Sequence, residues 1–320
     1  MTKNKAVMQS DKETEDCDQR TLIGQPPHNH WMHSSNPPNF DLTRPEPPHY
    51  PFPAGHESIT LETNTTPITI SPAKTALVII DMQNFFLSPA LGRQADGSGN
   101  KAKKQLLDYA LPAAAAANMQ VVWLNEDIDE MPASILRGFG FVRESSKDIK
   151  TDPDKMGKPS QLYRGLGSDL GPVTLEDGAV IQAGRLLMRD YWNTDLPPDL
   201  KRSFEHGHDI DQPHVWTHKN RMSGLWHSSA PCAKFLRQKG IRTLLFAGVN
   251  TDQCVGGTLQ DAYSQGYDCI MLSDACGTTS PEYAKQCIEY NTERSWGFVS
   301  NCQSFRHGVD TMLKHREAKN

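Results

Sequence analysis

Nowhere in this chain of 320 residues do apolar side chains continue for the ~18 positions that a membrane-spanning helix requires. The opening stretch "MTKNKAVMQSDKETEDCDQR" has no apolar core of the kind that marks a secretory leader. Positive charge is also in short supply, with 33 Lys and Arg against 38 Asp and Glu and a net charge of −5. A nucleic-acid or membrane-surface role would show instead as a basic patch or tail. These absences lead to the expectation of a soluble, cytoplasmic protein that has neither nucleic acid nor membrane as a partner.

Paired cysteines are missing too. Seven thiols stand at 17, 232, 254, 269, 276, 287 and 302, and no two form a CxxC pair. Disulfide frameworks belong to short secreted domains, while a thioredoxin-like motif or a zinc ribbon needs the missing pair. Reduced thiols are expected, of which at most one needs a chemical reason.

What is present changes texture along the chain. Residues 24–55 are dense in Pro, His and Asn and show neither a helical nor a strand period. Repeated prolines remove backbone donors and fix extended geometry. Residues 1–70 therefore read as a Pro/His-rich N-terminal arm, partly disordered or draped on the surface. Its aromatics Trp31, Phe40, Tyr50 and Phe52 could anchor it on the parent domain or on a neighbouring subunit. From residue 71 to 320 the pattern is that of one α/β domain. The short branched-apolar run "TALVIID" (75–81) reads as a strand buried on both faces, and "QVVWLN" (120–125), "HVWTHK" (214–219), "RTLLFAGV" (242–249) and "DCIMLSD" (268–274) read as further strands. Helical stretches lie between them, at 101–119, where Pro112 marks a kink or restart, and at 230–240, 255–266 and 281–295. Alternating strands and helices predict a three-layer α/β/α, Rossmann-like fold with a mainly parallel sheet. Residues 165–200 exceed a simple connection, which leaves a lid or an oligomer contact as alternatives.

Ligands of such sheets sit outside the carboxyl ends of the strands. There the sequence puts Asp81, Lys219 and, just past the fourth run, Cys254 in "AGVNTDQCVGG". A nearby cation and a helix N-terminus favour a thiolate, and a carboxylate can take the thiol proton. Each residue alone has a plainer reading: a small buried hydrophobe for Cys254, a turn or cap for Asp81, an exposed cation or the partner of a structural acid for Lys219. The histidines of "HGHDIDQPHVWTH" (206–218) match no usual zinc spacing, so no metal and no cofactor is expected.

The stretches "ALVIIDMQNFF", "HKNRMSGLW" and "AGVNTDQCVGGTLQDAYSQGYDCIMLSDAC", in this order over residues 71–310, resemble the isochorismatase-like superfamily of cysteine hydrolases. That superfamily includes nicotinamidases, N-carbamoylsarcosine amidases, ureidoacrylate amidohydrolases and isochorismatases. The resemblance implies Asp81 as general base, Lys219 as orienting cation and Cys254 as nucleophile. It also implies a non-proline cis peptide between Val249 and Asn250, with the backbone N–H groups of Asn250 and Cys254 as an oxyanion hole. The activity implied is hydrolysis of a C–N bond in a small amide or ureido compound through a Cys254 thioester. Vinyl-ether hydrolysis of the isochorismatase type, or a non-catalytic family member, are the alternatives. The second strand, "VVWLNEDIDEMP", has no histidine and so lacks the nicotinamidase metal pattern. A homo-oligomer, dimer or tetramer, is likewise implied. Candidate substrate-binding residues are Asn84 and Phe85 past Asp81, Trp123 on the second strand, and Arg221, Ser223 and Trp226 after Lys219. An aromatic wall with few polar groups suits a small planar substrate, although core packing is the alternative for each aromatic and a surface ion pair for Arg221.

Overall fold

The chain's first strands lie where prolines are dense. The computed structural model describes residues 20–26, 29–45, 57–128, 166–208 and 211–318. Strands β1 (Arg20–Gln25), β2 (Asn29–Ser35) and β3 (Pro38–Asp41) join β4 (Ile59–Leu61) and β5 (Ile68–Ile70) in a five-stranded sheet of order β1-β2-β3-β5-β4. The prolines punctuate these strands instead of preventing them: Pro26 and Pro37 sit in turns, and Pro38 opens β3. Proline is tolerated at such positions because no ladder donor is needed there.

The central sheet begins with β6 (Thr75–Ile80), followed by the short α1 (Asn84–Leu87). Next comes a helix built from α2 (Ser98–Gln105), a π-helical turn at Leu106–Ala110, and α3 (Leu111–Ala116). The expected kink at Pro112 is thus met by widening: the Leu111 N–H reaches back to Leu106 O, one residue further than in an α-helix. This relieves the clash of the proline ring with the preceding turn. β7 (Gln120–Glu126), the hairpin β8 (Pro172–Thr174) and β9 (Val180–Gln182), α4 (Pro198–His206), β10 (Val215–Lys219), α5 (Pro231–Gln238) and β11 (Thr243–Val249) follow. A second π-helical turn, Thr251–Val255, leads into α6 (Gly256–Ser264), then β12 (Asp268–Gly277), α7 (Glu282–Asn291), β13 (Phe298–Ser300) and α8 (Cys302–Glu317).

Six strands pair in the order β10-β7-β6-β11-β12-β13, all parallel. Alternate side chains enter opposite layers. Leu77, Ile79, Val121, Trp123 and Leu245 pack on one face with the α2–α3 helix and α8, while Val78, Ile80, Val122, Leu124 and Phe246 pack on the other with α5 and α6. This is the three-layer, mainly parallel fold that the sequence predicts. The strand order reverses between β6 and β11, and this switch point is where such sheets open a crevice at their carboxyl ends.

The separation of an N-terminal arm from a domain beginning at residue 71 needs correction over the described part. Leu42, Ile59, Leu61, Ile68 and Ile70 are fully buried in the main core, and Trp31 and Phe40 lie 5.8 and 6.0 Å from the Phe298 ring. Asp268, at the amino end of β12, accepts from Trp31 Nε1 at 2.9 Å, Arg44 Nη2 at 2.6 Å and Thr243 Oγ1 at 3.0 Å, and pairs with Arg44 Nη1 as well. The aromatic residues thus anchor the segment on its own domain. Residues 1–19 and Tyr50 and Phe52 lie outside the described residues. No helix among the described residues is long and apolar enough to cross a membrane.

Candidate active site

Asp81 follows the last residue of β6 in a left-handed backbone conformation, φ +51°, which is unfavourable for a residue with a β-carbon. The turn is held from three sides. The Asp81 N–H donates to Leu124 O at 3.0 Å, the Glu126 N–H donates to Asp81 Oδ1 at 2.8 Å, and the Gln83 amide donates to Glu126 O at 2.9 Å and Thr194 O at 2.8 Å. On the other side of the switch point, Gly248 has φ +126° and a β-carbon there would lie 2.1 Å from Ile80 O. Only glycine lets β11 approach β6 this closely. The Val249–Asn250 peptide that follows is cis, and the π-helical turn after it carries Cys254 toward Asp81.

Lys219 closes the arrangement from the end of β10. Its Nζ lies 2.9 Å from Asp81 Oδ2, 3.5 Å from Cys254 Sγ and 3.2 Å from Arg221 O, and it pairs closely with Glu126 Oε2. Asp81, Glu126 and Cys254 each bring one donor atom within 4.8 Å of the others, around the lysine ammonium. All four side chains are buried. Burial pushes the Asp81 carboxyl up, with Lys219 and a hydrogen bond to Cys254 opposing. Burial likewise pushes the Glu126 carboxyl up to about 8 against the pull of Lys219. The Cys254 thiol is pushed well up by burial; Lys219 opposes, and Asp81 and Glu126 add to the rise. The expected gain from cation and helix N-terminus is therefore outweighed by desolvation, and the thiol keeps its proton until a base takes it. The lysine is held charged by its three acidic neighbours although burial opposes.

A buried thiol beside a raised-pKa carboxylate and an ammonium can pass its proton to the carboxylate and present sulfur to a carbonyl. The family comparisons bear on this geometry. A family model described as an Isochorismatase domain matches residues 189–294. A ureidoacrylate amidohydrolase of Klebsiella variicola (strain At-22) is 29% identical over 254 residues, 78% of this chain and 93% of that protein. The chain is similar to isochorismatase-like hydrolases. A solved pyrazinamidase/nicotinamidase from Streptococcus mutans UA159 shares the fold, with a TM-score of 0.50, 17% identity, and coverage of 70% of this chain and 99% of that one.

Within this isochorismatase-like fold the remaining sequence candidates separate. Trp123 needs correction: it is fully buried on the face of β7 opposite Cys254, with its Nε1 donating to His214 Nδ1 at 3.3 Å. Strand alternation points residues 123 and 125 away from the site and 124 and 126 toward it. Asn84 is spent on the irregular segment, its Nδ2 donating to Trp192 O at 2.9 Å and its N–H to Asp195 O at 2.8 Å. Phe85 packs with Leu91, Val173, Ala183 and Leu186 under that segment, beneath the Arg93 guanidinium. Residues 166–192 thus form a small core over α1, separate from the main core that takes Leu196. Ser223 Oγ accepts from the Leu225 N–H at 3.0 Å and fixes a turn. Arg221 stacks 3.7 Å from the centroid of Trp226, which is 40% exposed, so this pair offers a planar, positively charged surface on the loop after Lys219.

Two residues were missed, Glu126 and Gln83. The signal was present: "NED" closes the second strand, and Glu126 pairs in register with Lys219. The histidines of 206–218 are engaged separately: His214 with Trp123, His218 with Asp127 Oδ2 at 2.7 Å, and His208 against Phe204 at 4.5 Å. A cleft of about 530 Å³ lies on the far side of β10 from Lys219, lined by Asp127, Trp216 and His218 with Arg189, Tyr191 and Trp192.

Proposed function

We propose that the chain is a cysteine hydrolase that cleaves the C–N bond of a small amide or ureido compound through a Cys254 thioester. The observation that carries this reading is the meeting of Cys254 Sγ and Asp81 Oδ2 around Lys219 Nζ, at 3.5 and 2.9 Å, at the switch point of the sheet. Likeness to a ureidoacrylate amidohydrolase supports the substrate class.

In this mechanism Asp81 takes the proton of the Cys254 thiol. The thiolate attacks the carbonyl carbon, and the charge that develops on the carbonyl oxygen is met by the backbone N–H groups of Asn250 and Cys254. The C–N bond then breaks as Asp81 returns the proton to the leaving nitrogen. Asp81 next takes a proton from water, whose hydroxide attacks the thioester and releases the acid and the Cys254 thiolate. Burial suits Asp81 to both roles, because a raised pKa makes it a stronger base and keeps the proton close for the return. Lys219 holds Asp81 and sulfur in register. The Arg221–Trp226 pair is the proposed contact for a planar, anionic part of the substrate.

Ammonia release from a panel of small amides and ureido acids tests the reading, with Cys254→Ala and Asp81→Asn alongside wild type. One compound should yield ammonia with wild type and none with either variant. Isochorismate consumed equally by wild type and Cys254→Ala, with no ammonia from any amide, would move the chemistry to acid-catalysed ether cleavage.

A further inference from the structure

One ammonium faces three acids in this site. Asp81, Glu126, Lys219 and Cys254 are 0, 1, 3 and 4% exposed, so an unbalanced charge among them is costly, several kcal/mol per ion. With both carboxyls and the thiol ionised the cluster would carry two surplus negative charges. Two protons must therefore stay. One remains on the Cys254 thiol, and the other has two carboxyls to choose between.

Each carboxyl has one hydrogen-bonded oxygen, and the surroundings of the second oxygen decide between them. Asp81 Oδ1 accepts from the Glu126 N–H at 2.8 Å; its Oδ2 has no hydrogen bond among the described residues but lies in ion-pair contact with the lysine ammonium at 2.9 Å, and both contacts favour the ionised form. Glu126 Oε2 meets the same ammonium, but its Oε1 is buried with no hydrogen-bond partner among the described residues. A bare buried carboxylate oxygen forfeits its solvation without return. We propose that Glu126 is a positioning residue that holds the site's second proton. As the neutral acid it leaves Asp81 ionised beside the thiol and Lys219 shared between Asp81 and Cys254; once ionised it draws the lysine to itself and opposes thiolate formation.

The surroundings agree. Lys219 arrives from β10, Asp81 from the end of β6, and Cys254 from the π-helical turn. Asp127, next along the chain, adds negative charge, although it is paired with His218 on the other face. Arg221 contributes only its carbonyl oxygen, to Lys219, while its guanidinium lies over Trp226. A carboxyl raised to about 8 by burial is neutral below that pH and ionised above it. Sulfur reactivity should accordingly be present below about 8 and lost as the pH rises through it, the reverse of an ordinary thiol. The only chemical change is loss of the Glu126 proton to solvent.

This inference rests on Cys254 being the reacting group, and its test needs no substrate, so it succeeds or fails separately from the turnover assays. The rate of Cys254 carbamidomethylation by iodoacetamide, resolved by peptide mass spectrometry, is followed from pH 6 to 10 on the full chain. Wild type should level off and fall above about pH 8. Glu126→Gln, which mimics the neutral acid, should keep rising and exceed wild type at pH 9 by roughly tenfold, one pKa unit's worth. Superimposable profiles would overturn the proposal. Should Glu126→Gln not fold, the infrared carbonyl band of a buried carboxylic acid is read in wild type. It should be present at pH 7, disappear by about pH 9, and persist at pH 7 in Asp81→Asn; a wild-type spectrum without it refutes the assignment.

Discussion

Replacing Lys219 by methionine removes the one cation from the cluster while keeping most of the side-chain volume. At the observed 3.5 Å between Nζ and Cys254 Sγ, Coulomb's law with an effective dielectric constant of about 20 gives an attraction of about 5 kcal/mol. Since ~1.4 kcal/mol corresponds to one pKa unit, the thiolate would lose about three orders of magnitude in population. Protonation of Asp81 in the variant offsets part of this, because it removes the negative charge that opposes the thiolate. A fall of about 100- to 1000-fold in the carbamidomethylation rate of Cys254 at pH 7 is therefore expected. Exposed Cys287 serves as the internal reference in the same digest, and circular dichroism checks that the variant is folded. Lys219→Arg, which keeps the charge, should recover much of the rate. A folded Lys219→Met protein whose Cys254 rate drops by less than about tenfold, one pKa unit, would show that the ammonium does not govern the thiol.

Two further outcomes follow from packing. Gly248→Ala places a β-carbon 2.1 Å from Ile80 O, so β11 must draw back from β6; Cys254 reactivity should fall at least tenfold with lowered thermal stability, and a variant matching wild type in both would contradict the close approach. Arg44→Ala leaves the Asp268 carboxylate buried without its cation, which should cost about 3–5 kcal/mol and lower the unfolding midpoint by roughly 10 °C. Because Asp268 lies at the amino end of its strand, the Cys254 alkylation rate of the folded variant should match wild type. A loss under about 1 kcal/mol would make the pair no better than a surface contact.

The central sheet was legible because four of its strands are apolar runs with helices between them, and because three reactive residues fall at or just past strand ends. Glu126 is not legible in the same way, because the apolar pattern of the second strand ends before it, at Asn125. Trp123 was misplaced for a related reason: a run buried on both faces shows no polar alternation from which to tell its two sides apart. The N-terminal strands were hidden by prolines that stand at their turns and at one strand start. The partners that make those strands worth forming, Phe298 and Asp268, lie more than 200 positions away in sequence.

The clasp of Arg44, Trp31 and Thr243 on Asp268 has a consequence for where this chain can be cut. Asp268 belongs to a central strand, yet its charge is neutralised by a residue upstream of the first strand of that sheet. A polypeptide begun at residue 71 would carry the whole chemical cluster and still lose the counter-ion of Asp268 and the apolar cover that Leu42, Ile59, Leu61, Ile68 and Ile70 give the core. Thr243 would remain to Asp268 as a single neutral donor. The shortest autonomous unit is accordingly longer than the catalytic fold, and its dependence on the upstream strands enters from the rim opposite the thiol. Changes in that upstream stretch would alter how long the protein survives before they altered what it does.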